Sequence, residues 1–147
     1  MTLSSDLREF LELLNARSVD YLIVGAHCLA FHCRPRYTGD LDVLVRGSER
    51  NAMTLVTLLR EFGFTGSQFT PVDFAESDEV IQLGRAPNRI DLLTSLTGVS
   101  TEDAFAGKIA AEIDGIPVFL LSKQHLIQNK RAVGRPQDLA DLAELER

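Results

Sequence analysis

Apolar residues recur along the chain at two spacings, and their alternation predicts a succession of helices and strands. Between residues 5 and 16 the apolar side chains lie three and four positions apart, as on one face of a helix. The run YLIVG, at 21 to 25, is short and apolar and is closed by glycine, which predicts a buried strand. Helical character resumes over 26 to 33, and LDVLV, at 41 to 45, predicts a second strand. The chain therefore begins as helix, strand, helix, strand.

The middle of the chain continues this alternation. A long amphipathic helix is predicted after Ser48, which suits its N-cap, and Gly63 suits its C-terminal end. The segment from 64 to 77 has no clear period and is expected to be rich in loops. Two apolar runs, at 79 to 84 and 88 to 94, predict neighbouring strands joined by a short turn.

The last third adds a hairpin and more helices. Residues 102 to 107 predict a helical turn, and Asp114-Gly115 is a strong hairpin signal between two apolar runs. Two further helices are predicted at the C-terminus, the second with Pro136 in its first turn. The pattern predicts an α/β (α+β) fold with one mixed β-sheet flanked by helices, in a single domain spanning 1–147.

Composition narrows the class of protein. The chain has 147 residues, of which 45% are hydrophobic and 24% charged, with a formal net charge of -6. An acidic chain lacks the broad basic surface of a nucleic-acid binder, but it can still hold a nucleotide through a metal ion. No apolar run approaches the roughly 20 residues that span a bilayer, and the N-terminus has no signal pattern. We therefore expect a cytoplasmic protein without a membrane partner.

The segment GDLDVLV carries the most informative chemistry. Asp40 and Asp42 are two residues apart where a strand begins, so their side chains point to the same side. Two like charges held close together resist burial unless a cation compensates them, and oxygen ligands suit Mg²⁺ or Mn²⁺. Asp91 lies in another strand-like run, RIDLLT, and would complete an acidic cluster if the two strands are neighbours. Three such acids would support phosphoryl chemistry by metal-ion catalysis.

The glycine upstream fits the same chemistry. Gly25 stands between a predicted strand and a predicted helix, where a glycine lets the backbone approach a phosphate and the helix N-terminus offers free N–H groups. His27, which follows closely, is a candidate for the wall of a nucleotide pocket. Cys28 and His32 invite comparison with a zinc site, but neighbours on a helix diverge around its axis, and we interpret them as packed side chains.

These motifs resemble those of a known family. VGA, a short spacer and then DLDV resemble the signature of the DNA polymerase beta superfamily of nucleotidyltransferases: a hydrophobic residue, Gly, then Gly or Ser, followed downstream by two acids in alternation with hydrophobic residues. The stretch GAHCLAFHCRPRYTGDLDVLV is especially similar to minimal bacterial members related to abortive-infection toxins. The tail NKRAVGRPQDLADL is similar to the family's C-terminal Lys, Arg and Asp-x-x-Asp pattern.

The resemblance implies a role for several residues. Asp40, Asp42 and Asp91 would be the catalytic acids and metal ligands, and Gly25 with Ala26 would form the phosphate-binding turn. Ala26 departs from the family pattern, because many members carry Ser or Gly there, and this weakens the case for full activity.

The basic residues of the motif and of the tail are open to two interpretations. Lys130 and Arg135 would neutralise phosphates, or they could balance Asp138 and Asp141 on a helix face. Arg34, Arg36 and Arg46 flank the acidic motif, as solvated side chains or as phosphate contacts.

Two functions of different classes follow. The first is a magnesium-dependent enzyme that moves a nucleoside monophosphate from NTP to an acceptor hydroxyl, on a protein or an RNA, and releases pyrophosphate. The second is a catalytically weak nucleotide-binding or partner module, of the kind found in toxin–antitoxin systems. The sequence leaves open the base of the NTP, the acceptor, and whether the chain forms a homodimer or binds a partner protein.

Overall fold

The computed structural model describes residues 3–33, 39–63, 69–75, 80–84 and 89–147. The helices within these ranges are α1 (Ser5–Ala16), α2 (Gly25–His32), α3 (Glu49–Phe62), α4 (Pro71–Ala75), α5 (Thr101–Ala106), α6 (Lys123–Val133) and α7 (Pro136–Leu145). The strands are β1 (Tyr21–Val24), β2 (Leu41–Val45), β3 (Val80–Leu83), β4 (Ile90–Leu93), β5 (Ile109–Ile113) and β6 (Ile116–Leu120). The predicted α/β class, a mixed sheet flanked by helices, is confirmed.

The strands form one sheet in the order β3-β4-β2-β1-β6-β5. β2 runs antiparallel to β1 on one side and parallel to β4 on the other. All four residues of β1 are buried, as are four of the five in β2, which explains why both strands are continuous apolar runs. The central position of β2 is important for the site, because its first residues meet both β1 and β4 at the same end of the sheet.

Serine side chains start four of the helices. The Oγ atoms of Ser4, Ser48, Ser100 and Ser122 each accept a hydrogen bond from the backbone N–H three residues later. Each contact satisfies an N–H group that the helix leaves without an internal partner. At the other end of α3, Gly63 adopts the left-handed conformation, with φ +116°, and ends the helix as predicted.

The turn chemistry also agrees with the sequence. Asp114 and Gly115 join β5 to β6, both with positive φ, as the two-residue hairpin predicted there requires. The expectation of loop structure between 64 and 77 is wrong in part, because α4 lies within it. α4 begins at Pro71, and the Asp73 carboxylate accepts a hydrogen bond from Thr70 N at 2.8 Å, while Phe74 is buried. These local signals span too few residues to produce a helical period.

The helices pack in two groups. α1 packs against α3 and β6, whereas α2 packs against β1, β2, α6 and α7. The second group brings the C-terminal helices close to the start of β2. Over the ranges that the structure describes, none of the helices combines the length and the apolar character needed to cross a membrane.

Candidate nucleotide and metal site

The acidic residues of the predicted site converge at one end of β2 and β4. Asp42 and Asp91 are register partners on these two parallel strands, so their side chains leave the same face of the sheet. Asp40 precedes β2 by one residue and lies on the same side as Asp42, two positions away. Asp91 is buried, while Asp40 and Asp42 are partly exposed. The sequence prediction that Asp91 would face the Asp40–Asp42 pair therefore agrees with the strand register.

Close approach changes the acidity of Asp42. Burial, followed by the charge of Asp91, a hydrogen bond with Asp91 and the charge of Asp40, raises the pKa of Asp42 from 3.8 to about 7, whereas Arg89 lowers it. The two carboxyl groups are thus near enough to share a proton. Such a pair is stable only when a proton or a cation offsets the repulsion between the two charges.

Arg89 supplies one positive charge to this group. Its Nη2 atom lies 3.0 Å from Oδ2 of Asp40 and donates a hydrogen bond to Oδ2 of Asp91 at 3.2 Å. Its Nε atom is 3.1 Å from Oδ1 of Asp91, although the N–H does not point at that oxygen. We call Asp40, Asp42, Asp91 and Arg89 the acid array. Arg89 was not identified from the sequence, although it stands two residues before Asp91 in R-x-D, as Asp40 stands before Asp42.

Gly25 lies directly against the acid array. It begins α2 with φ +66°, and a Cβ atom added to it would come within 2.2 Å of Oδ2 of Asp42. β1 and β2 place Val24 opposite Asp42, which accounts for this proximity. Only a glycine allows both the left-handed backbone and this close approach. The start of α2, whose N-cap Val24 makes no side-chain capping bond, therefore opens beside the carboxylates. Ala26 is exposed in its first turn.

A cavity of about 590 Å³ connects the acid array with the C-terminal helices. Its lining is mixed in polarity and includes Val24, Gly25, Asp42, Val80, Leu93, Ser95, Leu96, Thr97, Asn129, Val133 and Arg135. Gly25 and Asp42 come from the first part of the fold, and Arg135 comes from the turn between α6 and α7. The cavity therefore brings together three of the residues that the sequence selected.

His27 lies behind the array and does not line this cavity. It is buried, with 1% of its surface exposed, and burial lowers its pKa, although a hydrogen bond to the backbone of Asp40 and the charge of Asp40 act in the opposite direction. The neutral imidazole supports the backbone of Asp40. Cys28 and His32 both contact the carbonyl oxygen of Leu121, at 3.3 Å and 2.8 Å, as packed side chains.

Lys130 and Arg135 belong to a second charged group, which we call the C-terminal cluster with Asp138 and Asp141. Lys130 Nζ lies 3.3 Å from Oδ1 of Asp138 and 3.0 Å from Oδ2 of Asp141. Arg135 binds Asp138 through Nε at 2.7 Å. Both aspartates are buried, and the Lys130 side chain is only 12% exposed, whereas that of Arg135 is 71% exposed. The pairing of these bases with these acids, one of the two interpretations of the sequence, is present in the structure.

The arginines that flank the acidic motif are only partly described. Arg46 pairs with Asp20 at 3.1 Å and stacks on Phe105, away from the acid array's contacts. Arg34 and Arg36 lie outside the described residues. The turn predicted between the strands at 79 to 84 and 88 to 94 also falls on residues that are not described.

The acid array is chemically suited to a divalent cation. Oδ1 of Asp91 is buried and makes no hydrogen bond within the described part of the chain, and it lies beside a second carboxylate whose charge is poorly compensated. Oxygen ligands of this kind suit Mg²⁺. In the ranges that the structure describes, no three His, Cys, Asp or Glu side chains are already arranged as a metal cage. The residues fit a cation that is also held by substrate oxygens.

Known structures share this architecture. A candidate nucleotidyltransferase from Thermotoga maritima superposes with a TM-score of 0.62 and 18% sequence identity, covering 96% of this chain and 91% of that protein. The lincosamide antibiotic adenylyltransferase LnuA, solved with lincomycin, gives a TM-score of 0.64 at 12% identity, with 99% and 97% covered. The antibiotic-resistance factor ANT(2'')-Ia gives 0.61 at 14% identity, with 96% and 80% covered.

The chain has the nucleotidyltransferase fold. No protein-family model matches the chain, and no curated protein matches it in sequence. Identities of 12% to 18% over nearly whole chains show a shared nucleotidyltransferase fold rather than a shared reaction. The family resemblance that rested on a few motifs is therefore confirmed at the level of the fold.

Proposed function

We propose that the chain is a nucleotidyltransferase that transfers a nucleoside monophosphate from NTP to an acceptor hydroxyl and releases pyrophosphate. One observation carries the proposal. Asp42 and Asp91 are register partners on parallel strands and share a hydrogen bond, beside a glycine whose backbone lies against Asp42. Arg89 supplies one positive charge for three carboxylates, and this excess of negative charge favours a divalent cation as a further partner.

Each residue of the candidate site would have its own part in the reaction. Asp42 and Asp91, with Asp40, would hold Mg²⁺ or Mn²⁺, which when bound neutralises the triphosphate and increases the acidity of the attacking hydroxyl. Gly25 and the first turn of α2, including the N–H of Ala26, would bind phosphate oxygens. Arg135, exposed at the edge of the cavity, would stabilise charge on the triphosphate.

The proposed reaction needs no reactant other than the NTP and the acceptor hydroxyl. The acceptor oxygen forms a bond to the α-phosphorus of the NTP as the bond from that phosphorus to the bridging oxygen breaks, and pyrophosphate leaves with that oxygen's electron pair. Asp91 accepts the proton of the hydroxyl. His27 keeps the backbone of Asp40 in place from behind. Lys130 takes part through Asp138, which fixes the orientation of Arg135.

The likeness to LnuA adds small molecules to the classes of acceptor that we consider. LnuA, which was solved with lincomycin, matches this chain over 97% of its own length. A small hydroxyl-bearing molecule is therefore as suitable an acceptor as a protein or an RNA, and it requires no additional domain.

Label transfer tests the proposal. The protein is incubated with each α-labelled NTP and Mg²⁺, together with the protein, RNA or small-molecule fraction of a cell extract. We expect label to enter one fraction, to be lost with EDTA, and to be lost in Asp42→Asn but not in Asp103→Asn, which changes an exposed aspartate of α5. Tight NTP binding with no transfer by the wild type would contradict the enzyme and support a nucleotide-binding module.

A further inference from the structure

The guanidinium of Arg89 occupies the part of the acid array where a cation would be expected. Residues 40 and 42 share one face of β2 and its approach, and residues 89 and 91 share the same face of β4. The backbone continues this register, because Leu41 N donates to the carbonyl oxygen of Arg89 at 3.0 Å. Asp40 therefore stands beside Arg89, and Asp42 stands beside Asp91, on one face of the sheet.

Arg89 and a divalent cation require the same oxygen atoms. Both carboxylate oxygens of Asp91 lie within 3.1 to 3.2 Å of the guanidinium, and Oδ2 of Asp40 lies 3.0 Å from it. Mg²⁺ binds oxygen ligands at about 2.1 Å and in a strict octahedral geometry. A Mg²⁺ ion bound to Asp91 would lie close to the guanidinium in its present position, and the two positive charges would repel each other.

The two partners differ in their freedom to move. The Arg89 side chain is 36% exposed, whereas that of Asp91 is 11% exposed and is fixed in the middle of the sheet. Arg89 lies one residue before β4, at the end of that strand. The arginine is therefore the group that can turn into solvent when a stronger cation arrives.

We propose that Arg89 is a resident counter-ion that stabilises the metal-free acid array and is displaced from Asp91 when a divalent cation binds. The proposal rests on the proposed function only in that these acids are taken to bind a metal. It makes Arg89 a positioning residue that holds the carboxylates together in the absence of metal and weakens their affinity for metal alone.

Titration with Mn²⁺ alone, without nucleotide, tests this proposal. Free Mn²⁺ is followed by its electron paramagnetic resonance signal for the wild type, Arg89→Gln and Arg89→Lys. Because Arg89→Gln removes a charged hydrogen-bonded competitor, we expect it to bind Mn²⁺ about tenfold more tightly than the wild type. Arg89→Lys keeps the charge but not the forked contact, and we expect an intermediate affinity.

A matched control and a stability readout complete the experiment. Arg8→Gln removes an arginine of similar exposure, paired with Asp114 at 2.9 Å and remote from the array. Without metal, Arg89→Gln should lower the melting temperature and Mn²⁺ should restore it, whereas Mn²⁺ should not restore Arg8→Gln. If Arg89→Gln does not fold without metal, Arg89→Lys still tests the order of affinities.

The results that would overturn the role of Arg89 differ from the results of the transfer assay that would overturn the proposed function. Equal or weaker Mn²⁺ binding by both Arg89 variants, or no Mn²⁺ binding by any form, would overturn the role of Arg89. Tighter binding by Arg89→Gln in a protein that transfers no nucleotide would leave this inference intact and contradict the proposed function alone.

Discussion

In the described part of the chain, two groups of four charged side chains differ in how far their negative and positive charges balance. The acid array holds three carboxylates and one guanidinium, and burial, together with the charges of Asp91 and Asp40, raises the pKa of Asp42 to about 7. The C-terminal cluster holds two carboxylates and two cations, and a hydrogen bond from Arg135, followed by the contacts of Lys130, lowers the pKa of Asp138 to about 2. We therefore expect the loss of one partner to destabilise the balanced group, and we expect the unbalanced group to bind a cation.

The largest expected difference concerns Lys130. Lys130→Met would leave Asp138 and Asp141 buried without their shared cation, which we expect to lower the free energy of unfolding by about 3 to 5 kcal/mol. Arg131→Ala is the control, since it removes a neighbouring ion pair, to Glu146, whose side chains are 62% and 48% exposed. That change should cost less than about 1 kcal/mol in urea unfolding. Equal effects of the two substitutions would show that the C-terminal cluster is not structural.

The next prediction concerns the acid array and tests the close approach of Gly25 to Asp42. In Gly25→Ala the new Cβ would meet Oδ2 of Asp42 at 2.2 Å, in addition to the strain of φ +66°. The strain alone costs about 1 to 2 kcal/mol. Gly115→Ala isolates that cost, because Gly115 has φ +81° and nothing within 4 Å of the added atom. Thermal unfolding should show a greater loss for Gly25→Ala, and only Gly25→Ala should abolish transfer. Similar losses of stability would contradict the close approach.

Removing one negative charge should have opposite effects in the two groups. Asp138→Asn weakens the contacts with Lys130 and Arg135 and should destabilise the protein. Asp42→Asn removes a carboxylate that Asp91 repels, so the metal-free protein should gain on the order of 1 kcal/mol at pH 8, since one pKa unit corresponds to about 1.4 kcal/mol. Urea unfolding in EDTA measures both. A loss of stability in Asp42→Asn would show that the acid array is already compensated.

The same difference between the two groups predicts that stability depends on pH. The folded protein holds the proton of Asp42 more tightly than the unfolded chain, with a pKa of about 7 instead of 3.8. The stability due to this proton is complete below about pH 4 and is lost as pH rises through about 7. Without metal, the free energy of unfolding should therefore fall between pH 5 and 8. The decrease in the free energy of unfolding should be smaller in Asp42→Asn than in the wild type. An equal decrease in both proteins would show that other groups cause it.

The sequence was sufficient for the main elements of the acid array. Alternation along a strand places Asp40 and Asp42 on one face, and apolar flanks place Asp91 on another strand, so their convergence required only that β2 and β4 be neighbours. Arg89 was missed because its partner depends on the sheet order and on the parallel register of β2 with β4. Neither property follows from a local period.

The C-terminal cluster shows a different limit. The sequence singled out its residues, but it left open whether they bind phosphate or each other. The answer depends on the burial of Asp138 and Asp141, which α6 and α7 create by folding together about Gly134. Buried aspartates on a helix cannot be distinguished from solvated ones by spacing alone.

A crystal soaked with Mn²⁺ and a non-hydrolysable NTP tests the central claim most directly. We expect an anomalous scattering peak between the carboxylates of Asp42 and Asp91, triphosphate oxygens at Gly25 and the start of α2, and the Arg89 guanidinium displaced from Asp91. A nucleotide bound elsewhere, or Asp42 and Asp91 without a metal ion at saturating Mn²⁺, would contradict it.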